Sequence, residues 1–323
     1  MRNPTLPRVA VLGLGLVGGS LFQLLHHHGH PVVGYDVDAA TRKLVAQHHG
    51  GRVCDSICEA VAQAELTVIA VPVWAVGQVI DEIGRADYSG LLTDVVSVKA
   101  PIDQLIRQQL PAARWVGGHP MAGSEKTGFV ASSATLLADC PWVLCLNQLE
   151  QLDDWCDVAR HITQLGCRVI PATTVEHDEA VARISHVPHA MAAALTNTAA
   201  SGAAGALALS IAAGSFRDAT RVAAAEPNVV AAWCEANSVA VVSQLDAVIA
   251  QLVQLRDALR TGPELAASAR DLFSRAQRIR QTWPREAAHT TRVARTVGAI
   301  GGVGRAGGWI IQVEQDHVVA ALP

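Results

Sequence analysis

Apolar residues in the first half of the chain gather in short runs, separated by stretches in which they recur every three or four positions. That alternation predicts buried strands joined by amphipathic helices. Val9-Ala10-Val11-Leu12, Pro31-Val32-Val33-Gly34-Tyr35, Leu66-Thr67-Val68-Ile69-Ala70-Val71-Pro72 and Leu91-Leu92-Thr93-Asp94-Val95-Val96 read as strands. Trp142-Val143-Leu144-Cys145-Leu146 and Cys167-Arg168-Val169-Ile170 read as the last of them, with an amphipathic helix between. Strands apolar on both faces belong in a parallel sheet covered by helices on each side. The expected fold class is therefore α/β, with a doubly wound sheet over residues 1–171.

Past Pro171 the pattern changes to long alanine-rich helices, so residues 172–285 are expected to form an all-helical domain. Ala and Gly are dense over 174–214, while 228–260 run without Gly or Pro behind the helix-starting pair Glu226-Pro227. As one helix this second stretch would extend roughly 50 Å at about 1.5 Å per residue, longer than one small domain needs. A homodimer is the expected consequence. A membrane span is not expected, because Thr196, Asn197, Ser201, Asn237, Ser243, Gln244 and Asp246 interrupt the runs and the apolar residues are mostly alanine. The tail, 286–323, passes through glycine-rich residues 298–308 to Trp309-Ile310-Ile311-Gln312-Val313-Glu314 and His317-Val318-Val319-Ala320-Ala321, read as a β-hairpin.

Composition narrows the chemistry. The chain has 323 residues, 17% of them charged, and a net charge of −4. That is the make-up of a globular protein long enough for two cores, with no basic block for nucleic acid or anionic lipid. The first strand begins within ten residues of Met1, leaving no apolar stretch for a signal peptide, so the cytoplasm is the expected location. Seven cysteines lack paired zinc spacing and read as reduced, mostly buried small hydrophobes. His26-His27-His28 and His48-His49 read as solvated helix ends, since adjacent helical residues point in different directions, and no metal site is expected.

Two loops carry the candidate chemistry of the first domain. After the first strand, Gly13, Gly15 and Gly18 stand where a tight turn, a close backbone approach to a pyrophosphate and helix–strand packing are needed, and Leu16 and Val17 open the helix behind them. The second strand ends in Asp36, 18 residues after Gly18, where a carboxylate accepts from ribose hydroxyls and repels a 2′-phosphate. NAD is the expected cofactor, with Arg42 leaving room for the phosphate of NADP. Val71 and Pro72 close the strand expected beside the nicotinamide. The second loop, Gly117-Gly118-His119-Pro120-Met121-Ala122-Gly123-Ser124-Glu125, holds His119 between proline and small residues, where an imidazole can exchange a proton with a ligand. Ser97, at the tip of a neighbouring strand, is expected to share its pocket.

The helical domain offers Glu176-His177-Asp178, Ser185-His186-Val187-Pro188-His189 and Gly214-Ser215-Phe216-Arg217-Asp218-Ala219-Thr220-Arg221. His186 and His189 lie one turn apart, although the local sequence equally allows an N-cap by Ser185 beside an incidental pair. Arg217 and Arg221 lie four apart, and a guanidinium fork suits a carboxylate; Asp218 is an alternative partner for Arg217.

The glycine loop, Asp94-Val95-Val96-Ser97-Val98-Lys99, Gly118-His119-Pro120-Met121-Ala122-Gly123, Ser185-His186-Val187-Pro188-His189 and Phe216-Arg217-Asp218-Ala219-Thr220-Arg221, in this order, resemble the prephenate/arogenate dehydrogenases of tyrosine biosynthesis over about residues 1–260. The resemblance implies a Rossmann domain, a helical domain through which two copies associate, and NAD-dependent oxidative decarboxylation of prephenate to 4-hydroxyphenylpyruvate, or of arogenate to tyrosine. It implies that His119 is the catalytic histidine at the ring hydroxyl, with Ser97 as its helper. It implies Arg221 at the ring carboxylate, and Ser124, Glu125, Ser185 and His189 around the substrate side chain; Arg217, read from its spacing to Arg221, is a further substrate-binding candidate. Val230 departs from the family, which often has tryptophan there, with Trp233 one turn later. The 38-residue tail departs too, being shorter than the regulatory domain some relatives append. Rival readings are a β-hydroxyacid dehydrogenase or imine reductase of similar architecture, which usually centre their chemistry on a helical lysine or lack the His-Pro loop, and a dinucleotide sensor without turnover.

Overall fold

The strands β1 (Val9–Leu12), β2 (Val32–Tyr35), β3 (Arg52–Val53), β4 (Leu66–Ile69), β5 (Leu91–Asp94) and β6 (Arg114–Val116) form one sheet, in the order β3-β2-β1-β4-β5-β6 with every pair parallel. The computed structural model describes residues 7–48, 51–123, 126–260, 266–284 and 286–323. β1, β4 and β5 are buried along their whole length, as runs apolar on both faces require. One face packs on α1 (Leu16–His27), with Leu21, Phe22 and Leu25 buried. The other packs on α3 (Ile57–Val61), α4 (Val76–Arg85) and α5 (Ala100–Gln109), with Ile57, Val79, Ile80, Ile83, Ile102 and Ile106 buried. Burying each such side chain stabilises the fold by about 1.5–3 kcal/mol. The short helix α2 (Ala39–His48) lies between β2 and β3. In this order of strands the chain reverses direction between β1 and β4, and the loops after them open at the carboxyl edge where such sheets take ligands.

The parallel sheet is complete at β6. The later strands form a second, mixed sheet: β7 (Gly118–Pro120) is antiparallel to β8 (Pro141–Cys145), which runs parallel to β9 (Arg168–Ala172), with α6 (Leu152–Gln164) connecting the last two. Trp142 and Trp155, from β8 and α6, are fully buried between the sheets. Nearby, the His30 and His161 rings meet edge-on with centroids 6.4 Å apart, beside a cavity of about 20 Å³. All seven cysteines are free, and five are buried.

The helical part begins at α7 (Thr174–Val181), whose start is a full capping box: Thr173 Oγ1 accepts from the Glu176 amide while the Glu176 carboxylate accepts from that of Thr173. Such a cap is worth about 1 kcal/mol. A π-helical turn, Ala182–His186, joins α7 to α8 (Val187–Ala200). Pro188 explains it, because proline has no N–H for the carbonyl four residues back and its ring crowds that carbonyl, so the backbone widens. Ser185 is therefore inside a continuous helical run and is not an N-cap.

After α9 (Gly205–Ser210) and α10 (Gly214–Thr220), a 3₁₀ turn over Arg221–Ala224 packs on α8. The stretch 228–260, expected as one helix, is two: α11 (Pro227–Ala236) and α12 (Ser238–Arg260), broken at Asn237. Asn237 is buried, and its side chain donates to the Asp178 carbonyl at 2.8 Å. α12 alone extends about 35 Å. It is long and apolar enough to cross a membrane by length and composition, and little of it is covered within the chain.

The chain continues through α13 (Ala266–Gln281), β10 (His289–Ala294), α14 (Val297–Arg305), β11 (Trp309–Val313) and β12 (His317–Leu322). β11 and β12 form the expected antiparallel pair, yet they do not stand apart. β10 joins β12, and β11 pairs with β9 through Ile310 and Val169, so one six-stranded sheet runs β10-β12-β11-β9-β8-β7.

Candidate active site

The loop after β1 is a tight glycine turn with an open mouth. Gly13 turns with φ +100°, and a Cβ there would lie 2.4 Å from the Ala70 carbonyl oxygen and 2.9 Å from a Val71 methyl. A Cβ on Gly18 would sit 2.0 Å from the Gly13 carbonyl oxygen, so α1 lies tight on the turn. Gly15 is the opposite case, with nothing within 4 Å of its Cβ position and no side-chain hydrogen bond at the helix N-cap it forms. Open space therefore faces the uncapped start of α1, where Leu16 and Val17 begin the helix, and an anion fits there. Asp36 is tied to the same loop: its Oδ2 accepts from the Leu14 amide at 2.7 Å and its Oδ1 from the Asp38 amide at 2.9 Å. Arg42 donates to the carbonyls of Asp36 and Val37 at 2.8 and 3.1 Å and lies over the Tyr35 ring. Val71 and Pro72 follow β4, Pro72 as the N-cap of a short 3₁₀ turn.

His119 is held from behind by a polar network. At the end of β5, Asp94 accepts from the Gly118 amide at 2.8 Å and pairs with the Lys99 ammonium, which also donates to the Gly118 carbonyl at 2.8 Å. Lys99 and Asp94 are 1% and 0% exposed, so this lysine is a buried strut and not a free catalytic amine. Burial raises the Asp94 carboxyl, and the ammonium with two amide donors opposes the rise. The His119 Nδ1 is 2.9 Å from His177 Nε2, and His177 Nδ1 is 2.7 Å from Asp178 Oδ1. Asp178 in turn accepts from the amides of Lys99 and Ala100 at the start of α5, both at 2.8 Å. Burial alone would raise Asp178, but the bonds from His177 and these amides hold it below the usual carboxylate range. Burial, with His177, Lys99 and His186 nearby, pushes His119 well below the usual histidine range. A neutral imidazole is the form that can accept a proton.

Ser97 lies in the turn between β5 and α5, with its buried Oγ making no hydrogen bond to the described residues, as suits a hydroxyl reserved for a ligand. From the helical domain, Trp233 stacks on His186 at 6.4 Å between centroids and meets His189 edge-on at 5.9 Å. His189 Nδ1 is 2.8 Å from the Ser185 carbonyl oxygen, which can only accept, so His189 carries its proton there and keeps Nε2 open. Burial lowers His186 to about 4. Arg217 pairs with Asp218 at 3.3 Å on the exposed surface, while Arg221, also exposed, makes no ion pair among the described residues. Ser124 and Glu125 lie outside the described residues. Next to His177, a cavity of about 280 Å³ lies between β8, β9, α7 and α14, lined by Val143, Ile170 and Val181 with the Glu176–Arg305 pair.

Asp94, Lys99 and Asn237 were not expected at the site, and His177 and Asp178 were expected only as part of a polar cluster with no assigned role. A signal for the first two is present: a carboxylate closing an apolar strand, with an ammonium five residues later, must be paired if the strand is buried. His177 and Asp178 stand out as a polar pair but gain their meaning only from contacts 58 and 79 residues away.

Residues 22–171 match the family described as prephenate dehydrogenase, nucleotide-binding domain, and residues 173–272 match prephenate dehydrogenase, dimerization domain. A cyclohexadienyl dehydrogenase of Zymomonas mobilis is 32% identical over 257 residues, 78% of this chain and 88% of its own. A solved structure of a Corynebacterium glutamicum protein assigned as a prephenate dehydrogenase has a TM-score of 0.79 at 34% identity, covering 86% of this chain and 90% of that one. The Aquifex aeolicus prephenate dehydrogenase, solved with hydroxyphenyl propionate and NAD+, has a TM-score of 0.79 over 87% of this chain and 99% of that one. At 23% identity it speaks to the fold.

Proposed function

The chain belongs to the prephenate dehydrogenase family, as an NAD-dependent dehydrogenase of prephenate or arogenate, and we propose that its reaction is oxidative decarboxylation of prephenate with His119 as the base. The observation that carries the reading is a half-buried His119, held below the usual histidine range and backed by His177 at 2.9 Å, in a fold that also leaves the Ser97 hydroxyl without a hydrogen-bond partner among the described residues. When bound, NAD would supply the acceptor for the hydride on the ring carbon that bears the hydroxyl. The open space at Gly15 and the start of α1 suit its pyrophosphate, and the Asp36 carboxylate suits its ribose. His119 takes the hydroxyl proton as that carbon becomes carbonyl-like, and Ser97 Oγ orients the hydroxyl. Arg221 holds the ring carboxylate that leaves as carbon dioxide when the ring aromatises, a positioning role. Ser185, His189, Ser124, Glu125 and Arg217 surround the substrate side chain in this reading, with Trp233 shaping the pocket beside Val230.

Two copies associate through the helical domain. Val239, Val242, Ile249, Leu252 and Leu259 along α12 are 87, 56, 54, 46 and 70% exposed in a single chain, a larger apolar stripe than a soluble monomer leaves bare. A homodimer in the cytoplasm, with a small-molecule substrate, accounts for that stripe better than lipid does.

The test is nicotinamide absorbance with pure protein, NAD and either prephenate or arogenate. Prephenate is the expected substrate, and turnover of arogenate alone would overturn that choice. His119→Asn should bind NAD normally and lose roughly a hundred- to ten-thousandfold in turnover, the usual share of a positioned base. Turnover near wild type in this variant would remove His119 from the chemistry.

A further inference from the structure

His177 and Asp178 carry no role in the reaction as described above. We propose that they are positioning residues, setting which nitrogen of His119 carries a proton and presenting its Nε2 lone pair to the substrate. This rests on the reading of His119 as the base. The hydrogen-bond chain starts at the carboxylate. Asp178 Oδ1 accepts from the Lys99 amide and lies 2.7 Å from His177 Nδ1, while Oδ2 accepts from the Ala100 amide. A carboxylate facing three donors is an acceptor only, so the proton between these side chains sits on His177 Nδ1. A neutral imidazole protonated there has its lone pair on Nε2. His177 Nε2 is 2.9 Å from His119 Nδ1, and that bond must take its proton from His119. His119 is thereby left with its own lone pair on Nε2.

The neutral state of both rings agrees with their burial, which lowers each histidine below its usual range. The anchor is rigid. Two α5 amides hold the carboxylate, and Asn237, at the break between α11 and α12, donates to the Asp178 backbone carbonyl at 2.8 Å. When His119 accepts the substrate proton it becomes an imidazolium whose Nδ1–H still points at His177. The new charge then meets an oriented dipole ending in an anion, with no reorganisation needed. Holding a catalytic imidazole in the right tautomer is worth up to about 10⁴ in turnover in the serine proteases.

His177→Leu removes the acceptor and leaves Asp178 on its two amides; His177→Gln keeps a carbonyl for His119 and an amide donor for Asp178. The expected result for His177→Leu is a fall in kcat of about a hundredfold or more, with substrate KM and NAD affinity within about threefold. In ¹⁵N NMR of histidine-labelled protein, His119 should move from the Nδ1–H to the Nε2–H form. His177→Gln should recover kcat to within about tenfold of wild type and restore the Nδ1–H form. Retention of more than about a tenth of kcat by His177→Leu, or loss of kcat while His119 stays in the Nδ1–H form, would overturn the proposal. A His177→Gln variant that behaves like His177→Leu would overturn it as well. Should His177→Leu fail to fold, the wild-type spectrum decides, since an Nε2–H His119 contradicts the whole chain. An active His177→Leu beside an inactive His119→Asn would sink the positioning role alone. If both stay active, the base assignment falls with it.

Discussion

The backbone amide of Lys99 donates to the carboxylate of Asp178 at 2.8 Å, joining the turn after β5 to the first helix of the helical domain across 79 residues of sequence. The same lysine reaches back with its side chain to Asp94 and the Gly118 carbonyl. One residue thus ties the strand end, the histidine loop and the second domain together, and Ser97 and His119 lie on either side of it in the chain.

Lys99→Met should destabilise the protein severely, by about 3–5 kcal/mol, because it leaves the Asp94 carboxylate buried without its counter-ion. Adding Asp94→Asn should recover much of the loss, since the amide is neutral and one acceptor remains for the Gly118 amide. Thermal or denaturant unfolding of the single and double variants measures it. Equal stabilities for the single variant and wild type would mean that the pair is not buried in solution.

Asp36→Ala should weaken NAD binding and narrow the preference over NADP, because the carboxylate both accepts from ribose and repels a 2′-phosphate. Arg42 sharpens the expectation. Its guanidinium already lies on the Asp36 and Val37 carbonyls, close enough to meet a phosphate once the carboxylate is gone. Titration with both nucleotides is the measurement, and an unmutated enzyme that uses the two equally would contradict the assignment of Asp36.

Arg221→Ala should raise substrate KM far more than it lowers kcat, by about 2–4 kcal/mol in binding, since a carboxylate contact exists before the transition state as well as in it. Arg217→Ala should cost less, because Arg217 already pairs with Asp218. Steady-state kinetics on both variants separate them, and the opposite ranking would show that the wrong arginine had been chosen.

Stability should decline in acid below neutral pH. Burial lowers His30, His119, His161, His177 and His186, the last to about 4. An unfolded chain takes up protons on these rings near pH 6.5, while the folded one refuses them until lower pH. The stability they contribute is therefore complete above about pH 6.5 and is lost as pH falls toward 4. Melting temperature should be level from pH 8 to 7 and drop steadily below. A flat profile down to pH 5 would mean that these rings are hydrated, and His161→Phe should reduce the slope.

Much of the Rossmann half was legible because its evidence is local. Val9–Leu12, the three glycines and Asp36 announce strand, turn, helix and a carboxylate closing the next strand within 28 residues. The second sheet was harder to see: β7 is three residues long and includes a proline, and β11 finds β9 across about 140 residues, where no periodicity reaches. Asn237 is hidden in the same way, since the apolar pattern runs through it and its partner, the Asp178 carbonyl, lies 59 residues away. At the site, His119 was marked by its glycine-rich loop. His177 was marked only as a polar neighbour of Asp178, because a hydrogen bond between distant elements leaves no trace in spacing.

The pairing of β11 with β9 bears on how the protein is made. His119 sits on β7, next to β8 and then β9, and the far edge of β9 is filled by a strand translated about 140 residues later. At ordinary synthesis rates of about 5–20 residues per second, that edge stays bare on the ribosome for roughly seven to thirty seconds. A naked strand edge is an invitation to another chain. The emerging polypeptide therefore passes through an interval in which β9, two strands from the one that carries His119, offers its edge to neighbouring nascent chains.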